Sequence, residues 1–92
     1  EFGRTPRIND NAGRDHWGPC FSGLFAGGGV QGGRIIGKSD PHGGYPISHP
    51  LSPEDIGATV YSVLGIDPSS EIRDRFDRPL RLNSGSVISE LF

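Results

Sequence analysis

The chain has 92 residues and a formal net charge of −2, enough for one small domain and too little for two. Leu, Ile, Val and Phe make up a quarter of it, above the roughly 20% below which chains stay disordered. Gly and Pro make up another quarter, at the edge of the low-complexity range, so the composition excludes wholesale disorder and predicts a fold rich in loops. Neither a basic block nor a positive net charge is present, which argues against nucleic acid and polybasic membrane contact. No run of about 18 apolar residues exists, so a membrane-spanning helix is excluded as well.

Cys20 is the only cysteine and has no partner for an intrachain disulfide. Methionine is absent and a motif-like segment is already under way at Glu1, so the chain is expected to be the C-terminal piece of something longer, one partial domain over residues 1–92.

Residues 1–19 carry Gly, Pro, Asn and Asp throughout and show no apolar period, which predicts a loop. The loop nonetheless concentrates Arg4, Thr5, Arg7, Arg14, Asp15, His16 and Trp17, a site-like content. Cys20–Ala26 and Arg34–Ile36 read as two β-branched and aromatic packets, expected to be strands. The glycines between them lack the Lys-Ser/Thr and following helix of a phosphate-cradling loop, so Gly27–Gly29 are assigned to backbone geometry. Residues 38–51, with three prolines and two glycines, predict an extended Pro/Gly surface loop. His42 and His49 in that loop match no metal-ligand spacing and are read as solvated.

Ser52-Pro53-Glu54-Asp55 is a helix start, with a capping serine, proline at the first helical position and acids in the first turn. The helix should run to Leu64 and end at Gly65, burying the stripe Ile56, Val60, Val63 and Leu64. Residues 69–78 predict a charged surface excursion with Ile72 and Phe76 tucked inward. Residues 78–82 predict a short edge strand that tolerates Pro79, and residues 85–92 a closing short helix or strand.

Two groups of side chains have chemistry to offer. His16, between Asp15 and Trp17 on a glycine-rich loop, has the setting of a metal ligand or an acid/base, and equally that of a structural hydrogen-bonder. Arg4, Arg7 and Arg14 have the forked donors that oxyanions require, or else pair locally with Asp10 and Asp15.

In this order and spacing, EFGRTPRIN, GRDHW, AGGGVQGGRIIG and SPEDIGATVYSVLGID resemble the C-terminal part of the DUF1501 family. These are bacterial proteins, abundant in planctomycete-like organisms, whose fold is similar to the alkaline phosphatase and sulfatase superfamily. The resemblance implies an α/β fold, with this chain the C-terminal fragment of a mostly parallel sheet bearing helices on its faces. It implies a divalent metal ion (zinc, calcium or manganese) held in part by Glu1, Asp15 and His16, with Arg4 and Arg14 stabilising an oxyanion. Glu1 falls where the superfamily has a metal-binding aspartate, and His16 where it has a later histidine. Phe2 falls where it has another histidine and cannot coordinate, which argues against a dinuclear centre. The nucleophile and further carboxylates would lie upstream of Glu1, so this piece alone is expected to be inactive and to need the missing N-terminal part of its own domain.

The expected function is thus the C-terminal part of a metal-dependent hydrolase of sulfate or phosphate esters, its substrate a small-molecule or glycan ester. The alternative is a non-catalytic binding module for anionic glycans on the same fold. Export to the periplasm or beyond is implied by the family alone.

Overall fold

The computed structural model describes all of residues 1–92 and divides into two compact units, Glu1–Phe25 with Ile35–Pro50 and Ala26–Arg34 with Leu51–Phe92. No helix is long and apolar enough to cross a membrane.

The first unit contains two antiparallel ladders, β1 (Gly3–Arg4) with β2 (His16–Trp17) and β3 (Lys38–Ser39) with β4 (Pro46–Ser48). Residues 5–15, between β1 and β2, are organised by Asn9. Its Oδ1 accepts the amides of Asn11 and Gly13, and its Nδ2 donates to Asp15 Oδ1, each at 3.0 Å. Short polar side chains that bond nearby backbone hold irregular chain in one conformation, which is why a segment without apolar period can still present a fixed surface. Gly3 has a second role. A Cβ there would overlap the carbonyl oxygen of Cys20 and lie 3.1 Å from that of Trp17, so the crossing of β1 under residues 17–20 requires glycine.

The Pro/Gly loop expected over 38–51 is instead a β-hairpin through residue 48. Asp40 closes its turn by accepting the amides of His42 and Gly44 on Oδ1, at 3.0 and 2.9 Å, and that of Tyr45 on Oδ2, at 3.0 Å. Aspartate bonding its own downstream backbone makes the Asp-Pro-His-Gly-Gly sequence a turn, and Pro46 sits in a two-stranded ladder where an edge position is available. The strands expected at Cys20–Ala26 and Arg34–Ile36 do not form. Leu24 is 93% and Ile35 96% exposed. β-Branched and aromatic content favours a strand only where a neighbouring backbone supplies the ladder, and neither packet has one. Gly27, Gly28 and Gly29 take φ of +85°, +59° and +86°, in keeping with a purely conformational role for the run.

The second unit is built on α1 (Pro53–Val63), capped as expected. Ser52 Oγ accepts the Asp55 amide at 3.1 Å while Asp55 Oδ2 accepts the Ser52 amide at 2.8 Å, a reciprocal capping box. Leu64 caps the far end and Gly65 follows at φ +77°. The expected buried stripe is overturned at three of its four positions: Ile56 is half-buried, but Val60, Val63 and Leu64 are 45%, 43% and 68% exposed, whereas Ala58, Thr59 and Ile88 are buried. The helix face is chosen by what lies on it, and residues 86–88 bond to Asp55 and Thr59 rather than covering the aliphatic stripe. Asp55 Oδ1 accepts the Ser86 amide at 2.8 Å. Thr59 Oγ1 accepts the Ile88 amide at 2.9 Å and donates to the Asp55 carbonyl at 2.7 Å.

Strands β5 (Glu71–Arg73) and β6 (Pro79–Arg81) pair in an antiparallel hairpin, the latter including Pro79 as expected. Ile72 and Phe76 do not tuck inward but are 51% and 64% exposed. The Arg75 and Arg78 guanidinium carbons instead lie 4.7 and 5.4 Å from the Phe76 ring centroid, a cation–π arrangement that keeps the aromatic at the surface. A 3₁₀ turn over Ser89–Leu91 ends the chain. All three ladders are two-stranded and antiparallel, so the mostly parallel sheet implied by resemblance would have to be built with other strands.

Candidate functional site

Pairing across β1 and β2 sets which side chains meet. Arg4 faces His16 and Gly3 faces Trp17. Cross-strand partners share a face, and alternation along β1 adds Phe2 to that of Arg4. One face therefore carries Phe2, Arg4 and His16, and the other Trp17.

On the first face the His16 ring lies on the Phe2 ring, centroids 3.8 Å apart and tilted by 32°. The Arg4 guanidinium carbon is 5.6 Å from the Phe2 centroid. Phe2, which cannot ligate a metal, thus packs against the imidazole and lies within cation–π range of the guanidinium. Arg4 and Arg14 clasp each other's backbone: Arg4 Nη1 donates to the Arg14 carbonyl at 3.2 Å and Arg14 Nη2 to the Arg4 carbonyl at 3.3 Å. Arg14 Nε also donates to the Thr5 carbonyl at 2.5 Å.

The two sequence readings for these arginines separate here. Neither pairs with Asp10 or Asp15; the ion pairs of the chain are Arg73–Asp77 and Arg78–Asp74. Backbone carbonyls orient both guanidiniums without neutralising them, and the rest of each donor fork makes no hydrogen bond within the chain. Arg4, Arg14 and His16 are all exposed.

The metal ligands implied by resemblance are less well gathered. Asp15 sits beside His16 in sequence, but one of its carboxylate oxygens is held by Asn9. Glu1 is exposed ahead of β1. No group of three or more His, Cys, Asp or Glu side chains is placed to hold a metal ion, so Glu1, Asp15 and His16 do not by themselves form the closed or three-donor sets that zinc sites use.

The other face was not anticipated. Trp17 Nε1 donates to the Gly44 carbonyl at 2.7 Å, and its ring meets that of Tyr45 edge to face, centroids 5.5 Å apart at 74°. Both aromatics line a cleft of about 660 Å³ along with Pro6, Arg7, Ile8 and His42. Asp15 and Asp40 also reach it. The Gly44 amide, with those of Tyr45 and His42, holds the Asp40 carboxyl below the usual aspartate range. The available signal was the Asp-Pro-His-Gly-Gly-Tyr sequence, which as a turn returns Tyr45 toward β2.

No curated relative and no solved structure matches the chain. The model of a family described as "Protein of unknown function (DUF1501)" matches it from residue 1 to residue 92, and the chain belongs to that family.

Proposed function

We propose that this chain supplies the oxyanion-binding part of a sulfatase- or phosphatase-like ester hydrolase. The observation that carries the reading is the Arg4–Arg14 clasp. Two guanidiniums, unpaired with any carboxylate, are fixed by backbone carbonyls beside an imidazole that is itself propped on Phe2. Such an arrangement fits the three oxygens of a sulfate or phosphate ester: the planar forks match pairs of oxygens, and donors already held in place need little reorganisation as charge develops on them. His16, across the ladder from Arg4, can donate to the same group or hold a proton at the ester oxygen. The likeness to the alkaline phosphatase and sulfatase superfamily supports the same reading. In such an enzyme the nucleophile and any metal donors beyond Glu1 and His16 would be supplied from elsewhere, since Asp15 reaches the cleft on the other face.

Phe2 favours a second reading. It occupies a ligand position of that superfamily and stacks on His16 instead, which suits an exported, non-catalytic module holding anionic glycans through the same arginines. Both readings require oxyanion binding, and hydrolysis by the assembled enzyme separates them.

The test is titration of the protein with inorganic sulfate and phosphate, followed by NMR at the Arg Nε–H and His16 ring signals. Saturable shifts at Arg4, Arg14 and His16, weakened about tenfold in Arg4→Gln and in Arg14→Gln, are expected. Shifts scattered over all eight arginines, or none, overturn the proposal.

A further inference from the structure

We infer that the cleft lined by Trp17 and Tyr45 is a carbohydrate subsite that takes an uncharged pyranose ring. It goes beyond the proposed function and does not rest on it, because an ester's oxyanion and alcohol are directly bonded and would not sit on opposite faces of one ladder. The cleft itself stands on its own geometry, since Trp17 belongs to the opposite face of the β1–β2 ladder from Arg4 and His16.

Three observations select the ligand class. The walls are aromatic and apolar and the volume, about 660 Å³, lies within the range of small-molecule sites. The indole N–H is consumed by the Gly44 carbonyl, so Trp17 is held in one orientation and offers its ring rather than its polar edge. The remaining polar groups are of mixed kind. Arg7 and His42 side chains and the Tyr45 hydroxyl make no hydrogen bond or ion pair within the chain, and Asp15 has one carboxylate oxygen uncommitted. Asp40 contributes charge but few free lone pairs, because three amides already occupy it.

A free donor set, a free acceptor and an apolar floor describe the needs of a pyranose, whose C–H face is apolar and whose rim of hydroxyls both donates and accepts. Other ligands match less well. An anion would meet two carboxylates against one guanidinium, an organic cation would meet Arg7, and a purely apolar ligand would leave Arg7, His42 and Tyr45 desolvated without partners.

Trp17 is the only tryptophan, so fluorescence excited selectively at tryptophan reports on this cleft alone. The protein is titrated with methyl pyranosides of glucose, galactose and mannose, with tetramethylammonium and sulfate as controls, and the titrations are repeated in Tyr45→Ala and Arg7→Gln. Arg7 is exposed and unpartnered, so that variant leaves the fold intact. The expected result is a saturable change with at least one glycoside, at a Kd of about 1–10 mM, weakened about tenfold in both variants. No saturable change with any glycoside overturns the inference, as does an equal response to tetramethylammonium or one that survives in both variants. The sulfate titration followed at Arg4, Arg14 and His16 fails or succeeds separately, so loss of the oxyanion reading and loss of the sugar subsite are told apart.

Discussion

Replacing Thr59 by valine tests what holds the second unit together. Thr59 is 1% exposed, and its hydroxyl bridges the helix to the C-terminal segment, accepting the Ile88 amide at 2.9 Å and donating to the Asp55 carbonyl at 2.7 Å. Valine keeps the shape and removes the oxygen. The Asp55 carbonyl retains its place in the helix, but the Ile88 N–H, on a residue only 3% exposed, loses its acceptor. An unsatisfied buried donor costs about 1–3 kcal/mol, so Thr59→Val should destabilise by about 2 kcal/mol, a fall in Tm of about 10 °C for a domain this size. Serine is the counterpart: it keeps the acceptor and loses a methyl group, at about 1 kcal/mol. Denaturant midpoints of the two variants, with hydrogen exchange at the Ile88 amide, decide the point. The polar bridge predicts that valine is worse than serine and that Ile88 loses protection only in the valine variant. Valine as stable as wild type, or better than serine, would refute the bridge and leave apolar packing as the cement.

Acid should unfold the chain through its aspartates. The Ser86 amide, then the Ser52 amide and hydroxyl, hold Asp55 below the usual aspartate value, and the Ser69 hydroxyl and amide do the same for Asp67. The Arg78 guanidinium and amide depress Asp74. A carboxyl depressed in the folded state contributes stability that is complete above its unfolded pKa, about 3.9, and is lost as pH falls through the lower folded value. Stability by denaturant titration should therefore be level near neutrality and fall below about pH 4, and Asp55→Asn should shallow that fall; an unchanged acid limb in the variant would count against the Asp55 contacts. Gly3→Ala should cost about 1–3 kcal/mol by driving a Cβ into the Cys20 carbonyl; the expected signs are a lower Tm and altered Trp17 fluorescence, and a variant with the wild-type Tm and spectrum would show that β1 does not cross there. Elemental mass spectrometry should find less than one zinc, manganese or calcium per chain, since three donors are not gathered; a stoichiometric ion that leaves with His16→Ala would show that they are.

What was legible in the sequence was local. The α1 start rests on Ser52, Pro53 and Asp55, and its end on Gly65, all within a turn of the backbone groups they satisfy. The aliphatic stripe of that helix is equally visible, yet its burial is a tertiary decision, made here in favour of Thr59 and Ala58 by the hydrogen bonds from residues 86–88. Cys20–Ala26 and Arg34–Ile36 have strand composition and no ladder, whereas residues 38–48 have poor strand composition and form one because Asp40 closes the turn. Among site residues, Arg4, Arg14, Asp15 and His16 stood out because they share one short loop. Trp17 stood out in the same loop, but its meeting with Tyr45 did not, since that depends on the turn closed by Asp40 and on a hydrogen bond between residues 27 apart.

The central claim is that Arg4 and Arg14 form a prepared oxyanion site on the His16 face. A double-mutant cycle on sulfate binding, Arg4→Gln and Arg14→Gln singly and together, tests it most directly. Because each guanidinium is held by a backbone carbonyl that the other's substitution leaves in place, the account predicts that each single variant loses about tenfold in affinity and that the losses multiply, to about a hundredfold, in the pair. Sulfate affinity unchanged in both single variants, or a pair no weaker than either single variant, would contradict it.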